Sequence, residues 1–262
     1  MDDLRKLVKE YEDIFTEKPG LTHLECHTIE LSDRQSVRER PYPLPFATLE
    51  AVEEEVQAML KEGIIERSKS DFCAPVVLVK KPDGSFRFCV NYKKLNKKTK
   101  FDSEPMNHPD NILTKLCGKN FFSKVDFSRG FWQIPMEEDS KEYTAFTTPS
   151  GCYHLPFGLV NSPASYNRMM RKLLYGENEI DNYVDDVLGH TVTWEDHLAM
   201  LHRLFTRIRE AGLTVRPTKC SLGYETVTFL GHTIGHGRMT PLDNTEKQSA
   251  YSTFLCLRPR SN

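Results

Sequence analysis

The segment Tyr183-Val184-Asp185-Asp186-Val187-Leu188-Gly189, preceded by Glu177 to Asn182, decides how the rest of the chain is read. Two adjacent aspartates between short runs of β-branched and aromatic residues predict a tight hairpin, because Asp tolerates turn geometry while Tyr, Val and Leu suit flanking strands. Such a turn lifts both carboxylates to the tip. Hard divalent cations such as Mg²⁺ take oxygen ligands, usually one or two protein carboxylates, with water and phosphate in the remaining positions. The pair is therefore half of a candidate phosphoryl-transfer site. By itself an Asp-Asp pair more often marks a solvated turn, so the assignment depends on what else the chain supplies.

Upstream, Asn120-Phe121-Phe122-Ser123-Lys124-Val125-Asp126 reads as a strand ending in an acid, and Phe127 to Gln133 then turns into a short helix. A carboxylate at the end of a buried strand is costly unless it is hydrogen-bonded or binds a cation. The competing reading of Asp126 is a helix N-cap. Further back, Ala74 to Val79 and Phe86 to Val90 flank Lys80-Lys81-Pro82-Asp83-Gly84-Ser85, a β-hairpin with a cationic tip. Lys is a mobile point charge and Arg a planar fork for phosphate oxygens, so Lys80 and Arg87 on such a flap suit a triphosphate.

The 262 residues are 39% hydrophobic and 27% charged, enough for a sizeable core in one large domain or two subdomains. No apolar run approaches a membrane span and the acidic start lacks a secretory layout, so the expected setting is intracellular, cytoplasmic or nuclear, with no membrane partner. Seven scattered cysteines without a C-x-x-C support neither a disulfide framework nor a zinc knuckle. The net charge of −2 argues against a generic nucleic-acid binder, yet Lys80 to Lys100 holds eight basic residues against one acid, Asp83. Lys81, Lys93, Lys94, Lys97 and Lys98 are thus candidate phosphate contacts, weighed against a plain solvated lysine-rich surface.

Helical spacing marks residues 1 to 15, Ala47 to Ile65 and Trp194 to Ala211, with Gly63 and Gly212 closing the last two. The prolines of Arg40 to Pro45 predict an extended stretch. Thr144 to Thr147 and Gly151 to His154 form a second hairpin. A loop from Leu155 leads into a helix at Ala164 to Leu174, with Pro163 in its first turn. Leu213 to Val215 reads as a short strand and Val227 to His232 as a strand pair. Hairpins mixed with helices place the chain in the α+β class.

Taken in order, Pro75-Val76-Val77-Leu78-Val79-Lys80-Lys81, Phe88-Cys89-Val90-Asn91-Tyr92-Lys93-Lys94-Leu95-Asn96, Phe122-Ser123-Lys124-Val125-Asp126, Phe131-Trp132-Gln133-Ile134, Pro156-Phe157-Gly158-Leu159, Tyr183-Val184-Asp185-Asp186 and Phe229-Leu230-Gly231-His232 resemble the reverse transcriptase of gypsy-type long-terminal-repeat retrotransposons and their retroviral relatives. The resemblance spans roughly residues 8 to 242. It implies a right-hand polymerase fold, with an N-terminal linker over 1–40, a reverse transcriptase domain over 41–240 (fingers 41–100 and 134–161, palm 101–133 and 162–240) and a divergent tail over 241–262. It also implies that the chain is a Pol polyprotein fragment whose thumb is missing or vestigial and whose ribonuclease H region is absent.

The same resemblance implies roles. Asp126, Asp185 and Asp186 match metal-binding carboxylates, and the Phe127 carbonyl completes one shell. The cofactors are two Mg²⁺ ions, with Mn²⁺ as substitute. Lys80 and Arg87 match residues contacting the incoming dNTP, and Phe131 matches the aromatic that excludes a ribose 2′-hydroxyl. Phe157 and Gly158 match the loop beside the nucleotide. Lys219 lies in the segment that protonates pyrophosphate. Phe229, Leu230, Gly231 and His232 match the hairpin gripping the primer end. The partners are an RNA or DNA template-primer and dNTP. The implied reaction is RNA-directed DNA synthesis, a nucleotidyl transfer; the alternative is an inactive retroelement-derived fragment that at most binds nucleic acid. An RNA-directed RNA polymerase is disfavoured by the bulk of Phe131. Three departures stand out: a connection before Pro156-Phe157-Gly158 about three residues shorter than usual, Asn91 in place of Asp, and Gly189 where an apolar residue is expected, which should weaken that strand.

Overall fold

In the computed structural model, residues 2–43, 45–80, 84, 86–154 and 158–241 are described, with backbone only at Phe46 and Ala47. Lys81, Phe157 and the tail beyond Pro241 lie outside them. In chain order the helices are α1 (Asp2–Glu10), α2 (Phe46–Lys61), α3 (Lys93–Lys98), α4 (Pro109–Lys115), α5 (Glu138–Lys141), α6 (Ser162–Leu173) and α7 (Trp194–Glu210). The strands are β1 (Glu66–Arg67), β2 (Ala74–Lys80), β3 (Phe86–Val90), β4 (Phe121–Asp126), β5 (Ala145–Thr148), β6 (Gly151–His154), β7 (Ile180–Tyr183), β8 (Asp186–Thr191), β9 (Ser221–Tyr224), β10 (Thr226–Phe229), β11 (His232–Gly235) and β12 (Arg238–Pro241). The class is α+β, as the mixture of hairpins and helices predicts.

The chain forms two compact units, the first from residues 1–19, 106–128 and 170–262, the second from 20–105 and 129–169. In the first unit, β7-β8-β4-β9 make one sheet and β10-β11-β12 another, all antiparallel. Strand alternation sorts the larger sheet into two faces. Ser123, Val125, Val187, Gly189 and Thr191 share the face that packs on α7, whose Met200, Leu201, Leu204, Phe205 and Ile208 are all buried at helical spacing. Helix α7 starts where Thr193 caps it, its side chain accepting the Asp196 N–H at 3.2 Å. The other face carries Phe122, Lys124 and Asp126 with Asp186, Leu188 and His190 opposite them. Phe122 and Leu188 join Ile112, Leu113 and Leu116 of the α4 region and Phe229 and Ile234 of the smaller sheet in one core cluster.

Gly189 does not interrupt β8. It is paired with Ser123 on one side and Ile180 on the other. A Cβ there would stand 2.5 Å from Met200 Cε, so the missing side chain is what lets α7 sit close to the sheet.

The second unit is built on the sheet β1-β6-β5-β2-β3, in which β2 and β5 run parallel and the other pairs antiparallel. Val52, Val56 and Met59 of α2 pack with Val76, Phe88, Phe146 and Tyr153 of that sheet. Asn91 donates to the Tyr42 hydroxyl at 3.1 Å and accepts the Lys93 N–H at 3.1 Å, a combination an Asp cannot make because it has no donor.

Residues 1–40, read as a linker, pack into both units. Leu4, Leu7, Tyr11 and Ile14 are buried in the first, and the Tyr11 hydroxyl bonds Thr206 Oγ1 of α7 at 2.6 Å. In the second, Ile29 belongs to the core and Leu31 bridges Thr99. Apolar residues of these stretches are thus held by core burial and not by local propensity. Leu213 to Val215 is not a strand: Val215 makes isolated bridges to Phe15 and Phe127. The expected strand pair at Val227 to His232 is a three-stranded meander, since Gly235 to Arg238 turns the chain back once more.

Candidate active site

Tyr183 pairs with Asp186 in the β7–β8 hairpin, leaving Val184 and Asp185 as a two-residue turn. Val184 has φ +55, a left-handed conformation that a β-branched residue adopts only under constraint, and Asp185 is not left-handed; these signs match the primed turn that suits twisted strands. On the neighbouring strand Asp126 stands directly opposite Asp186. Opposed residues of an antiparallel pair point to one face with Cβ atoms about 4.5–5.5 Å apart. Asp126, an N-cap in one reading, caps nothing: the short turn that follows, Gly130–Gln133, begins after Arg129. All three aspartates therefore lie at one end of one sheet.

Their surroundings are cationic and oxygen-rich. Lys124 Nζ sits 2.7 Å from Asp186 Oδ1, and Lys219 Nζ 3.7 Å from Asp126 Oδ2. Burial raises the Asp126 carboxyl above the usual carboxylate range and Asp186 adds to this, while Lys219 and Arg216 oppose it. The Asp185 carboxyl is raised as well, through displacement of water by nearby protein atoms and then the charges of Asp186 and Asp126. Asp185 is exposed at the tip, so solvent weakens both the burial and the like-charge contributions. Among the described residues no three Asp, Glu, His or Cys side chains are gathered closely enough to ligate a single ion as they stand. Asp186 and Asp126 are each turned to a different lysine.

Phe127 is buried and bridges Val215, with Ser128 N–H donating to Thr214 O at 3.1 Å and Arg216 N–H donating to Asp126 O at 2.8 Å. That bonding pattern turns the amide and carbonyl of Phe127 away from Val215. The Phe127 carbonyl is thereby available as a further oxygen donor beside Asp126.

The other expected residues are placed as follows. Lys80 stands opposite Phe86 and Arg87 opposite Val79, so alternation puts the two cations on opposite faces of the β2–β3 hairpin. Both are exposed and both belong to the second unit. Phe131 rests on the Tyr166 ring with centroids 5.1 Å apart. Gly158 has φ +88, which only glycine adopts freely. Phe229 is 1% exposed, so its side chain is core; the contact surface of that turn is left to Leu230, Gly231 and His232, where Leu230 and Gly231 both have positive φ.

The basic run is less free than its sequence implies. Lys94 pairs with Glu39 at 3.3 Å, Lys98 with Asp33 at 2.7 Å and Lys100 with Glu30 at 3.4 Å. Only Lys93 and Lys97 of helix α3 are exposed without an ion pair among the described residues. Residues 30–39 supply the acids, which charge counting along Lys80 to Lys100 could not reveal.

Two features escaped sequence reasoning. Lys124 lies two positions before Asp126, so strand alternation alone would have put it on the same face. Asp181, buried, accepts from Lys115 Nζ at 2.6 Å and bonds His190 Nε2 at 2.9 Å, which anchors the base of the β7–β8 hairpin. Nothing in the sequence links those three residues.

Comparison with known proteins follows the same lines. The family model described as reverse transcriptase (RNA-dependent DNA polymerase) matches residues 79–234. The retrovirus-related Pol polyprotein from transposon 297 of Drosophila melanogaster is 34% identical over 228 residues, covering 83% of this chain and 22% of that protein. The enzymatic polyprotein of Cestrum yellow leaf curling virus is 35% identical over 225 residues, covering 81% of this chain and 35% of the relative. The chain thus spans a fifth to a third of such relatives. Among solved structures, the foamy viral protease-reverse transcriptase in complex with an RNA/DNA hybrid superposes with a TM-score of 0.84 at 28% identity, covering 98% of this chain and 37% of that one. A form in complex with double-stranded DNA gives 0.85 at 28% identity, covering 99% and 46%. Among the described residues no helix is long and apolar enough to cross a membrane. With its α+β polymerase fold, its paired strands ending in aspartates and a family match over more than half its length, the chain belongs to the reverse transcriptase (RNA-dependent DNA polymerase) family.

Proposed function

We propose that this chain is the polymerase portion of a retrotransposon reverse transcriptase, and that it joins dNTP to a primer 3′-hydroxyl on an RNA or DNA template. The observation that carries the reading is the register of β4 and β8, with Asp126 facing Asp186 and Asp185 on the adjoining turn. On this reading the first unit serves as palm and the second as fingers.

The donor set suits a hard divalent cation: three carboxylates, two of them with raised affinity for protons, and a backbone carbonyl. Asp126, Asp185 and Asp186 would hold two Mg²⁺ ions, or Mn²⁺, with the Phe127 carbonyl completing one shell. Such ions, when bound, activate the attacking hydroxyl and offset the charge of the leaving group. Asp126 and Asp186 each already face an ammonium group, so Lys219 and Lys124 neutralise the carboxylates at rest. Lys219, beside Asp126, would give a proton to departing pyrophosphate. Arg87 offers a planar fork to triphosphate oxygens, with Lys80 acting from the other face of its hairpin. Phe131, braced by Tyr166, is the residue that excludes a 2′-hydroxyl. Gly231 and His232 present the turn toward the primer. Lys93 and Lys97, without an ion pair among the described residues, supply phosphate contacts; Lys94 and Lys98 can do so only by giving up pairs worth about 0–1 kcal/mol each.

The test is incorporation on poly(rA)/oligo(dT) with Mg²⁺, comparing dTTP with UTP. Incorporation of dTTP alone is the expected outcome. Incorporation of UTP would make the protein an RNA polymerase, and none of either would make it an inactive fragment that at most binds nucleic acid.

A further inference from the structure

The loop that reaches the second unit's interior at Gly158–Asn161 is hydrogen-bonded to the α3 region, and one α3 side chain does two jobs. Asn96 Oδ1 accepts the Val160 N–H at 3.0 Å, and its Nδ2 donates to the Gly158 carbonyl at 3.5 Å. A single carboxamide therefore spans the Gly158–Val160 segment, and only a group with both a donor and an acceptor can do so. The first of these bonds is the stronger by distance. Asn161 fixes the far end, donating to Lys100 O at 2.8 Å and accepting the Asp102 N–H at 3.1 Å. Gly158 itself lies flat against Tyr92: a Cβ there would meet Tyr92 Cδ2 at 3.4 Å. That ring is buried and its hydroxyl donates to Thr144 O at 2.6 Å, so the wall does not move. Asn96 is only half-buried and belongs to no apolar cluster, which leaves the loop as the structural purpose of its side chain.

We propose that Asn96 is a positioning residue for the incoming nucleotide, acting through the backbone of Gly158 to Val160. The proposal rests on the reading of Phe157-Gly158 as the loop beside the nucleotide. Asn96 lies 62 residues from Gly158 in the chain, between Leu95 and Lys97, so only the fold joins the two.

Three measurements on the full chain test it. Asn96→Ala should raise KM for dTTP on poly(rA)/oligo(dT) roughly three- to tenfold, the scale of one lost hydrogen bond, with kcat and the primer-template Kd nearly unchanged. Asn96→Asp keeps the acceptor for Val160 N–H and should recover most of that loss. Hydrogen exchange at the Val160 amide should speed up in Asn96→Ala and stay near wild type in Asn96→Asp. An unchanged KM in Asn96→Ala, or an effect confined to kcat and thermal stability, would overturn the assignment, as would an unaltered Val160 amide. Failure of the underlying functional reading is seen separately, as absence of dTTP incorporation by the unsubstituted protein.

Discussion

The carboxylate end of the β7-β8-β4 sheet and the lysine-rich helix α3 treat charge in opposite ways. In the sheet, folding brings Asp126 and the Asp185-Asp186 pair, some 60 residues apart in sequence, to one end, where burial first and neighbouring carboxylates second raise the proton affinity of Asp126 and Asp185, even with Lys219 and Lys124 beside Asp126 and Asp186. At α3, a dense run of like charge in the sequence is dispersed by folding, since Glu39, Asp33 and Glu30 arrive from another segment to meet Lys94, Lys98 and Lys100. Like charge that the fold gathers and holds at raised proton affinity is a functional signal, because it costs stability; like charge that the fold spreads over surface pairs is a packing solution.

The largest effect that tests this contrast is at the turn. Asp185→Asn should abolish primer extension with Mg²⁺ while the circular dichroism spectrum stays native. Because the folded-state pKa of Asp185 is raised, its ionised form opposes folding at neutral pH, so the same substitution should also hold or increase the melting temperature. A variant that extends primers, or one that melts far earlier, would remove the difference between the two regions.

Acid should affect both units through buried imidazoles. His197, bonded to Ser123 Oγ at 2.7 Å and Thr191 Oγ1 at 2.9 Å, is held by burial down to about 4, and burial likewise takes His27 in the second unit to about 4. A depressed imidazole pKa favours the neutral form in the folded state, so stability is complete above the unfolded value near 6.5 and falls as pH drops from there to about 4. Each histidine can cost up to about 3 kcal/mol over that window, at about 1.4 kcal/mol per pKa unit. Chemical denaturation at stepped pH reads the slope, and His197→Gln should remove its share.

Packing beneath the aspartates comes next. Gly189→Val should destabilise the protein by about 1–3 kcal/mol, toward the lower end if the flexible Met200 tip yields. Smallest is the basic helix: Lys98→Ala should change stability by less than about 1 kcal/mol. Lys97→Ala, which removes a cation with no ion pair among the described residues, should lower the slope of log affinity for nucleic acid against log salt by about 1, and Lys98→Ala by less. Equal slopes would mean that the acids of residues 30–39 do not compete with phosphate.

Much of the architecture was legible because its cause is local. The apolar spacing of Leu201, Leu204, Phe205 and Ile208 wrote α7 into the sequence, and strand ends at Asp126 and around Asp185-Asp186 followed from alternation and turn chemistry. What was not legible depends on distant partners. Gly189 looks like a flaw until Met200 is seen across from it. Phe229 reads as a surface residue of a binding turn, yet it fills the core beside Phe122 and Leu188. The neutralised lysines of α3 depend on acids some 60 residues away. Lys124 is the intermediate case, since period-two alternation places it beside Asp126 but only the structure shows it engaged with Asp186.

The central claim is that Asp126, Asp185 and Asp186 act together on divalent cations, and direct titration with Mn²⁺ followed by electron paramagnetic resonance tests it without reliance on turnover. The account predicts that Asp126→Asn, Asp185→Asn and Asp186→Asn each weaken binding in the presence of primer-template and dTTP, and that lowering the pH weakens it in the unsubstituted protein as protons compete for the raised carboxyls. Mn²⁺ binding of undiminished affinity in all three variants would contradict it.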